Sequence, residues 1–435
     1  MSLRLPLTTQ LTVLAAQLVC GTAPTTCAAA EPPALKGTVI VAGIAIDTAT
    51  PPAPLVTNRE LGLVTTPAVD GHIVHTAKTH LYETRATITP KGDYLLMFPE
   101  GEHYGGKLNK GKVNRMVAYR SRDKGKNWTG PKVAFDIDYN QHGFIPLIPR
   151  GSKRLYAFGT QPIPSLREGR ENCPIGFRYS DDDGRNWSKV TLIRPQNDPN
   201  FKGMSVMRMC ETDEGTWLLG SHEADWTTSP LTTRQYVLRS EDRGKTWNVV
   251  PGARPGGWNV HGYWRMDEGR PINLGGGHVM LLIRTPTGWL WGSWSDDDGK
   301  TWTKPKPTSL VHPDAPPMLF KHPDGKTLIA LHHNRHSGGH FVPADRSETW
   351  VSLSRDRGHT WSKPRFLLAN ALAPTEEKQF FNHQCSYFDA FADGETLHLF
   401  FPHQWKRALH LTIDAADLEK LPTKGELEAA AGSTH

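Results

Sequence analysis

Short apolar runs recur along the chain at near-regular intervals: residues 94–98 (YLLMF), 155–158 (LYAF), 217–220 (WLLG), 279–283 (VMLLI) and 328–331 (LIAL). Each is too short for a stable helix and lies among Gly, Pro and Asp residues, which is the signature of a buried strand. Tight-turn signals such as residues 90–93 (PKGD) and 323–326 (PDGK) usually precede them. A polar octad follows each run after a further strand-length segment. The predicted unit is therefore strand, tight turn, strand, octad, strand.

The octad reads Ser-x-Asp-x-Gly-x-(Thr/Asn)-Trp and occurs five times, beginning at Ser121, Ser180, Ser240, Ser295 and Ser354. Successive copies are 59, 60, 55 and 59 residues apart. Self-similarity at a fixed period signals a repeat architecture, and this period fits one four-stranded propeller blade with its loops. Within the octad, Gly permits positive φ, the Asp carboxylate can bind backbone amides, and Trp can anchor the turn on a packed face.

These octads resemble the Asp boxes of sialidase-type β-propellers, and the resemblance spans about residues 80–415. It implies an all-β propeller but no particular activity, since such boxes are turn structure. Five boxes define five blades, and residues 384–410 supply strands for another. N-terminal strands near residues 38–46 and 61–75 are expected to complete a further blade by pairing with the C-terminal end, which would remove the free sheet edges. The expected fold is a seven-bladed propeller, with a six-bladed sialidase-like one as the alternative. It would occupy residues 61–420, after an N-terminal segment 31–60 and before a tail 421–435.

Composition agrees with a turn-rich β protein. Gly (40) and Pro (34) are abundant in 435 residues and only 22% are charged, unlike a helical bundle. The aromatics (14 Trp, 10 Tyr, 15 Phe) can build a large core, which excludes disorder. The first thirty residues read as a secretory signal: Arg4, then an apolar stretch over residues 11–19, then Ala28, Ala29 and Ala30 before Glu31. Lipidation at Cys20 is a weaker reading, because Val19 is a poor residue before a lipidated cysteine. The expected location is thus secreted or periplasmic. Loss of the signal removes Cys20 and Cys27 and leaves Cys173, Cys210 and Cys385, read as buried thiols. The net charge of +6 comes without a Lys/Arg cluster, so it fits an acidic glycan rather than a nucleic acid. No later stretch is apolar enough to span a bilayer, and a monomer is expected.

Sialidases use arginines for the substrate carboxylate, a Tyr–Glu pair and an Asp acid/base. By that resemblance Arg85 (ETRA), Arg284 (LIRT) and Arg335 (HNRH) are arginine candidates, with Glu268 and Tyr387 as the pair. Arg85 is followed by Ala-Thr rather than Ile-Pro. The segment 100–119 holds no aspartate, offering Glu102, His103, Lys112 and Asn114 instead.

Histidines are the other candidate chemistry, because imidazole titrates near neutrality. The segments around His75 and His80, His142, Glu268, and His332, His333 and Arg335 also resemble the seven-bladed propellers of glycoside hydrolase family 145, the rhamnosidases acting on rhamnosyl-glucuronate ends. They resemble as well the ulvan lyases of polysaccharide lyase families 24 and 25. The rhamnosidase resemblance implies a single catalytic histidine, His75 first and His80 second. The lyase resemblance implies His142 as base with Tyr263, Arg265 or Arg234 as partners, although Gln161 stands where a second lyase histidine is expected. His333 falls with the substrate-binding group. The hydrolase reading requires no cofactor. Zinc on His332, His383 and Cys385, or calcium, is the alternative, and no short ligand spacing supports it. The leading expectation is a rhamnosidase; a lyase, an exo-sialidase and a non-catalytic glycan-binding propeller are the rivals.

Overall fold

The computed structural model describes residues 34–78, 80–101, 114–137, 142–161, 172–260, 265–336, 343–373 and 384–432. The expected signal segment, Tyr263 and His383 lie outside the described residues.

Six antiparallel sheets of four or more strands carry the fold. Blade I runs outward from Arg85–Ile88 through Tyr94–Gly101 and Asn114–Ser121 to Thr129–Ile137, with the short strand His80–Leu81 beside it. The inner strands of blades II to VI are Ile145–Leu147, Ser205–Glu211, Asp267–Gly275, Met318–Lys321 and Asp389–Asp393. Each inner strand packs beside that of the next blade, and the sixth packs beside the first, so the ring is closed.

The apolar runs are second strands, and they are buried on both faces because each blade is sandwiched between two others. Six apolar clusters fill the six gaps between blades. Phe98 and Phe400, for example, meet between blades I and VI, and Met280 and Leu328 between IV and V. This explains why residues 94–98 read as a continuous apolar run rather than an alternating one.

The blade count corrects the seven-blade expectation. Blade VI has three strands of its own, Asp389–Asp393, Thr396–His403 and Arg407–Asp414, and among the described residues no fourth strand follows them. Strand Asp70–Thr76 supplies it, pairing from Arg407↔Thr76 to Thr412↔Asp70. The N-terminal strand therefore completes the sixth blade and leaves nothing for a seventh. Val56–Asn58 and Leu63–Thr65 extend blade V instead, beyond Arg365–Asn370. Residues 38–47 form a separate hairpin that packs with Leu427 of the C-terminal helix Lys424–Gly432 against Trp350 and Phe366. Among the described residues no helix is long and apolar enough to cross a membrane. Cys173, Cys210 and Cys385 are free thiols.

Each octad is the turn between the third and fourth strands of its blade. In the fifth, Ser354 Oγ donates to Asp356 Oδ1 (2.8 Å) and accepts from the Gly358 amide (2.8 Å). Asp356 in turn accepts from the Thr360 amide and hydroxyl. The Ser–Asp and Gly–Ser contacts recur in the other four, with Asn127 and Asn186 in place of the threonine in the first two. Gly358 has φ +85, and a Cβ there would stand 2.2 Å from Met280 Sδ on the preceding blade. Gly358→Ala is expected to destabilise the protein by about 2–4 kcal/mol, from left-handed strain plus overpacking. Urea unfolding monitored by Trp fluorescence checks this, and an unchanged midpoint would remove the octads from the inter-blade packing.

Candidate functional site

In an antiparallel blade the turn between strands three and four lies at the same end as the turn between one and two. The octads therefore mark one face of the ring. The starts of the inner strands and the connections between strands two and three lie at the other, and the candidate chemistry gathers there.

Inner strands have an unpaired edge toward the axis, so their amides need partners from elsewhere. Side chains of neighbouring blades provide them. Asp389 on blade VI accepts from the Ala86 amide on blade I (2.9 Å). Glu83 accepts from the Gly143 amide before blade II (3.0 Å), and Gln235 from the Gly269 amide (2.7 Å). The backbone at the centre is thus positioned by polar side chains that are themselves buried.

Glu268 and Tyr387 meet at this centre. Tyr387 Oη donates to Glu268 Oε1 over 3.2 Å, and both residues are buried. Arg284 Nη1 donates to the other carboxylate oxygen, Glu268 Oε2, at 2.7 Å. Burial pushes the Glu268 carboxyl up, but the guanidiniums of Arg284 and Arg265 outweigh it and hold the group well below the usual carboxylate range. Burial and the Glu268 charge push the Tyr387 phenol up. The resting pair is therefore a neutral phenol beside a carboxylate. Both residues have positive φ, +51 for Glu268 and +59 for Tyr387. Left-handed backbone costs a non-glycine residue about 1–2 kcal/mol, and such strain concentrates at functional sites.

Arginines crowd the same place. Arg284 Nε donates to Asp314 Oδ1 (2.7 Å) and Nη2 to the Asp314 carbonyl (3.1 Å). Arg346 Nη2 donates to that same carbonyl (2.7 Å), and its guanidinium lies 5.9 Å from the Tyr387 ring centre. Arg265 pairs with Asp267, whose carboxylate also accepts from Thr233 Oγ1 (2.9 Å). Arg265 Nη2 stands 4.0 Å from Glu268 Oε1. Tyr82, Trp405 and the thioether of Met207 pack with Tyr387 as an apolar wall.

A second dyad lies beside the first. His142 Nδ1 donates to Glu83 Oε1 (2.7 Å), while Glu83 Oε2 accepts from Arg85 and from the Gly143 amide. Tyr82, next to Glu83 in the chain, packs with Tyr387, which puts the two dyads in one site. His222 is buried there as well, its Nδ1 accepting from the Glu268 amide (3.3 Å), and burial drives its pKa well below the usual value.

Of the residues singled out from sequence, the fold brings His142, Arg85, Arg265, Glu268, Arg284 and Tyr387 together. His75 lies on the outermost strand of blade VI, with Nδ1 2.8 Å from Tyr119 Oη and Nε2 3.5 Å from Glu100. His80 stacks on Tyr82 at 5.6 Å. Arg234 is on the third strand of blade III, 3.7 Å from Glu223. His332 uses both ring nitrogens, on the Val311 carbonyl and Ser352 Oγ. His333 likewise contacts the Glu348 carbonyl and Ser386 Oγ. Arg335 faces Asp345 and Glu348 at 3.8 and 3.9 Å. Cys385 is buried, and among the described residues no group of three His, Cys, Asp or Glu side chains could hold a metal. Sequence reasoning missed Arg346, Asp314, Asp267 and Glu83. The only local signal for Glu83 is its place two residues before Arg85.

A family described as BNR repeat-like domain matches residues 116–399, more than half of the chain. No curated protein matches the chain. Among solved structures the chain is similar to a Hadza microbial sialidase, Hz136 (17% identity, 81% of this chain and 69% of that one, TM-score 0.58). It is also similar to the NanB sialidase from Streptococcus pneumoniae (14%, 79% and 70%, TM-score 0.55). A third is the α-L-arabinanase from Penicillium chrysogenum (15%, 83% and 99%, TM-score 0.52). At these identities the likeness is one of fold. The chain belongs to the BNR repeat-like domain family.

Proposed function

We propose that the protein is a glycoside hydrolase that releases a carboxylate-bearing sugar from an acidic oligo- or polysaccharide. The carrying observation is the Tyr387–Glu268 pair, 3.2 Å apart, with Arg284 on the second oxygen of Glu268. A carboxylate nucleophile would repel a sugar whose own carboxylate lies near the reacting carbon. A phenol that hands its proton to an adjacent carboxylate avoids that repulsion, and tyrosine nucleophiles are the known departure from the two-carboxylate scheme. In the first step Tyr387 Oη attacks the anomeric carbon, its proton passes to Glu268 Oε1, and the glycosidic C–O bond breaks. His142, oriented through Nδ1 by Glu83, protonates the leaving oxygen from Nε2. In the second step His142 takes a proton from water, the resulting oxygen displaces Tyr387, and Glu268 returns the proton to the phenolate. Arg284, Arg346 and Arg265 supply the positive field for the sugar carboxylate.

This reading favours the sialidase-like alternative over the rhamnosidase one, because a deep arginine cluster beside the pair suits an acid on the released sugar itself. The His142–Glu83 dyad supports a second reading, β-elimination at a uronate, with His142 as base and the arginines neutralising the carboxylate. Aryl and oligosaccharide glycosides of sialic acid, glucuronate and rhamnosyl-glucuronate, together with ulvan, separate these. Release of an acidic sugar with retained anomeric configuration is expected. Absorbance of an unsaturated uronate without free sugar would replace hydrolysis by elimination, and free rhamnose alone would restore the rhamnosidase reading. Binding with no product at all would leave a glycan-binding propeller.

A further inference from the structure

Three arginines on the inner strands, Arg85, Arg208 and Arg270, take no part in the reaction above. Arg208, on the inner strand of blade III, reaches across to Asp389 on blade VI (2.6 Å). Arg85 is paired with Glu83. Arg270, two residues after Glu268, is 1% exposed, and Nη1 donates to the Phe388 carbonyl at 3.0 Å. Its Nε and Nη2 have no partner among the described residues, and neither has Nε of Arg85. The ring of Phe320, on blade V, lies 5.4 Å from the Arg208 guanidinium and 5.9 Å from that of Arg270.

The charges do not balance. Glu83 is committed to Arg85, His142 and the Gly143 amide, and Asp389 to Arg208 and the amides of Ala86 and Ala390. Arg270 has no carboxylate of its own among the described residues, and a buried ion without a counter-ion is strongly unfavourable. Burial, with Arg85 and Arg208 nearby, pushes its pKa down to about 9, which still leaves it charged at neutral pH. We propose that a small monovalent inorganic anion binds at the inner strands, on the Nε and Nη2 groups of Arg270, between Arg85 and Arg208. Two unpartnered donors on a single guanidinium suit a small monovalent ion. The enclosure of Arg270 excludes a sugar-borne carboxylate, whereas Arg208, with 29% of its side chain exposed, leaves a route for an ion from solvent.

The probe is chloride. Thermal unfolding of the full chain in sodium chloride and in sodium gluconate at equal ionic strength should differ by about 2–4 °C at 100 mM, chloride being the stabiliser. Arg270→Met should abolish the difference while staying at least as stable as the wild type in gluconate. Crystals grown in sodium bromide should show anomalous density beside Nε and Nη2 of Arg270. Equal unfolding temperatures in the two salts, or a chloride effect that survives Arg270→Met, would overturn the proposal. Should Arg270→Met not fold, the bromide density alone decides, and its absence counts against the site. Sugar release by Tyr387 is not read in any of these measurements, so the anion site and the hydrolase reading fail separately.

Discussion

Tyr387→Phe should reduce turnover of an acidic aryl glycoside by on the order of 10⁴-fold or more while leaving the ring folded. The substitution removes one oxygen whose partner is Glu268 Oε1 and keeps the ring that packs against Trp405. With the phenol oxygen as the proposed nucleophile, the loss should fall on kcat with KM little changed. Glu268→Gln should give a comparable loss, with lower stability as well, since it leaves Arg284 short of one charge. Pre-steady-state trapping with a fluorinated acidic sugar should label Tyr387 in the wild type. Wild-type turnover in Tyr387→Phe would dismiss the nucleophile assignment, and with it the argument from charge repulsion.

Acid should unfold the protein unusually early. His222, His312 and His403 are driven well below the ordinary histidine value by burial, and their cationic neighbours add to the effect. Burial takes His332 down to about 4, and His333 and His410 down to about 3. In the unfolded chain each takes up a proton near pH 6.5, whereas in the folded protein it stays neutral well below that, for His332, His333 and His410 to about pH 3–4. Between those values the unfolded state binds more protons, so stability is fully present above about pH 6.5 and falls as pH falls. His332, His333 and His410 each remove about 2 kcal/mol by pH 5, together comparable with the whole stability of a marginal domain. Burial raises the carboxyls of Asp267, Glu223 and Glu348, which opposes the trend without matching it in number. Unfolding free energy measured in urea from pH 7.5 to 5 should drop steeply, and His410→Phe should reduce the slope by about one proton. A flat profile over that range would contradict the neutral buried state of these side chains.

The parts of this molecule that sequence makes legible are those whose contacts are local. The octads are closed by bonds spanning two to four residues, from Ser to Asp and from Asp to Thr or Asn, so residue types and spacing suffice. Glu268, Arg284 and Tyr387 are legible only through resemblance, because their meeting spans as many as 119 positions. Arg346 escapes because it sits on a short 3-10 turn with no periodic context, while Arg335, eleven residues earlier, offers the same chemistry in a more conspicuous segment. His75 illustrates the opposite difficulty. Its segment is family-like text, yet the strand that carries it becomes the outermost strand of blade VI, a position set by ring closure and not by any nearby residue. The blade count turns on the same strand, since boxes mark turns and the closing blade has none.

That closing strand also sets a timetable. Thr76 pairs with Arg407, so the strand must wait while more than three hundred further residues are made, roughly 20–70 s at ordinary translation rates. A waiting strand with an apolar face would invite edge-to-edge association with other nascent chains. Asp70–Thr76 reads DGHIVHT, with only Ile73 and Val74 apolar, whereas its eventual neighbour Arg407–Asp414 carries the buried Leu409, Leu411 and Ile413. The stickier partner is thus the one synthesised last, when the strand that covers it is already in place. A chain released before residue 407 would have five blades and an unsealed ring, which marks early termination products for aggregation or proteolysis.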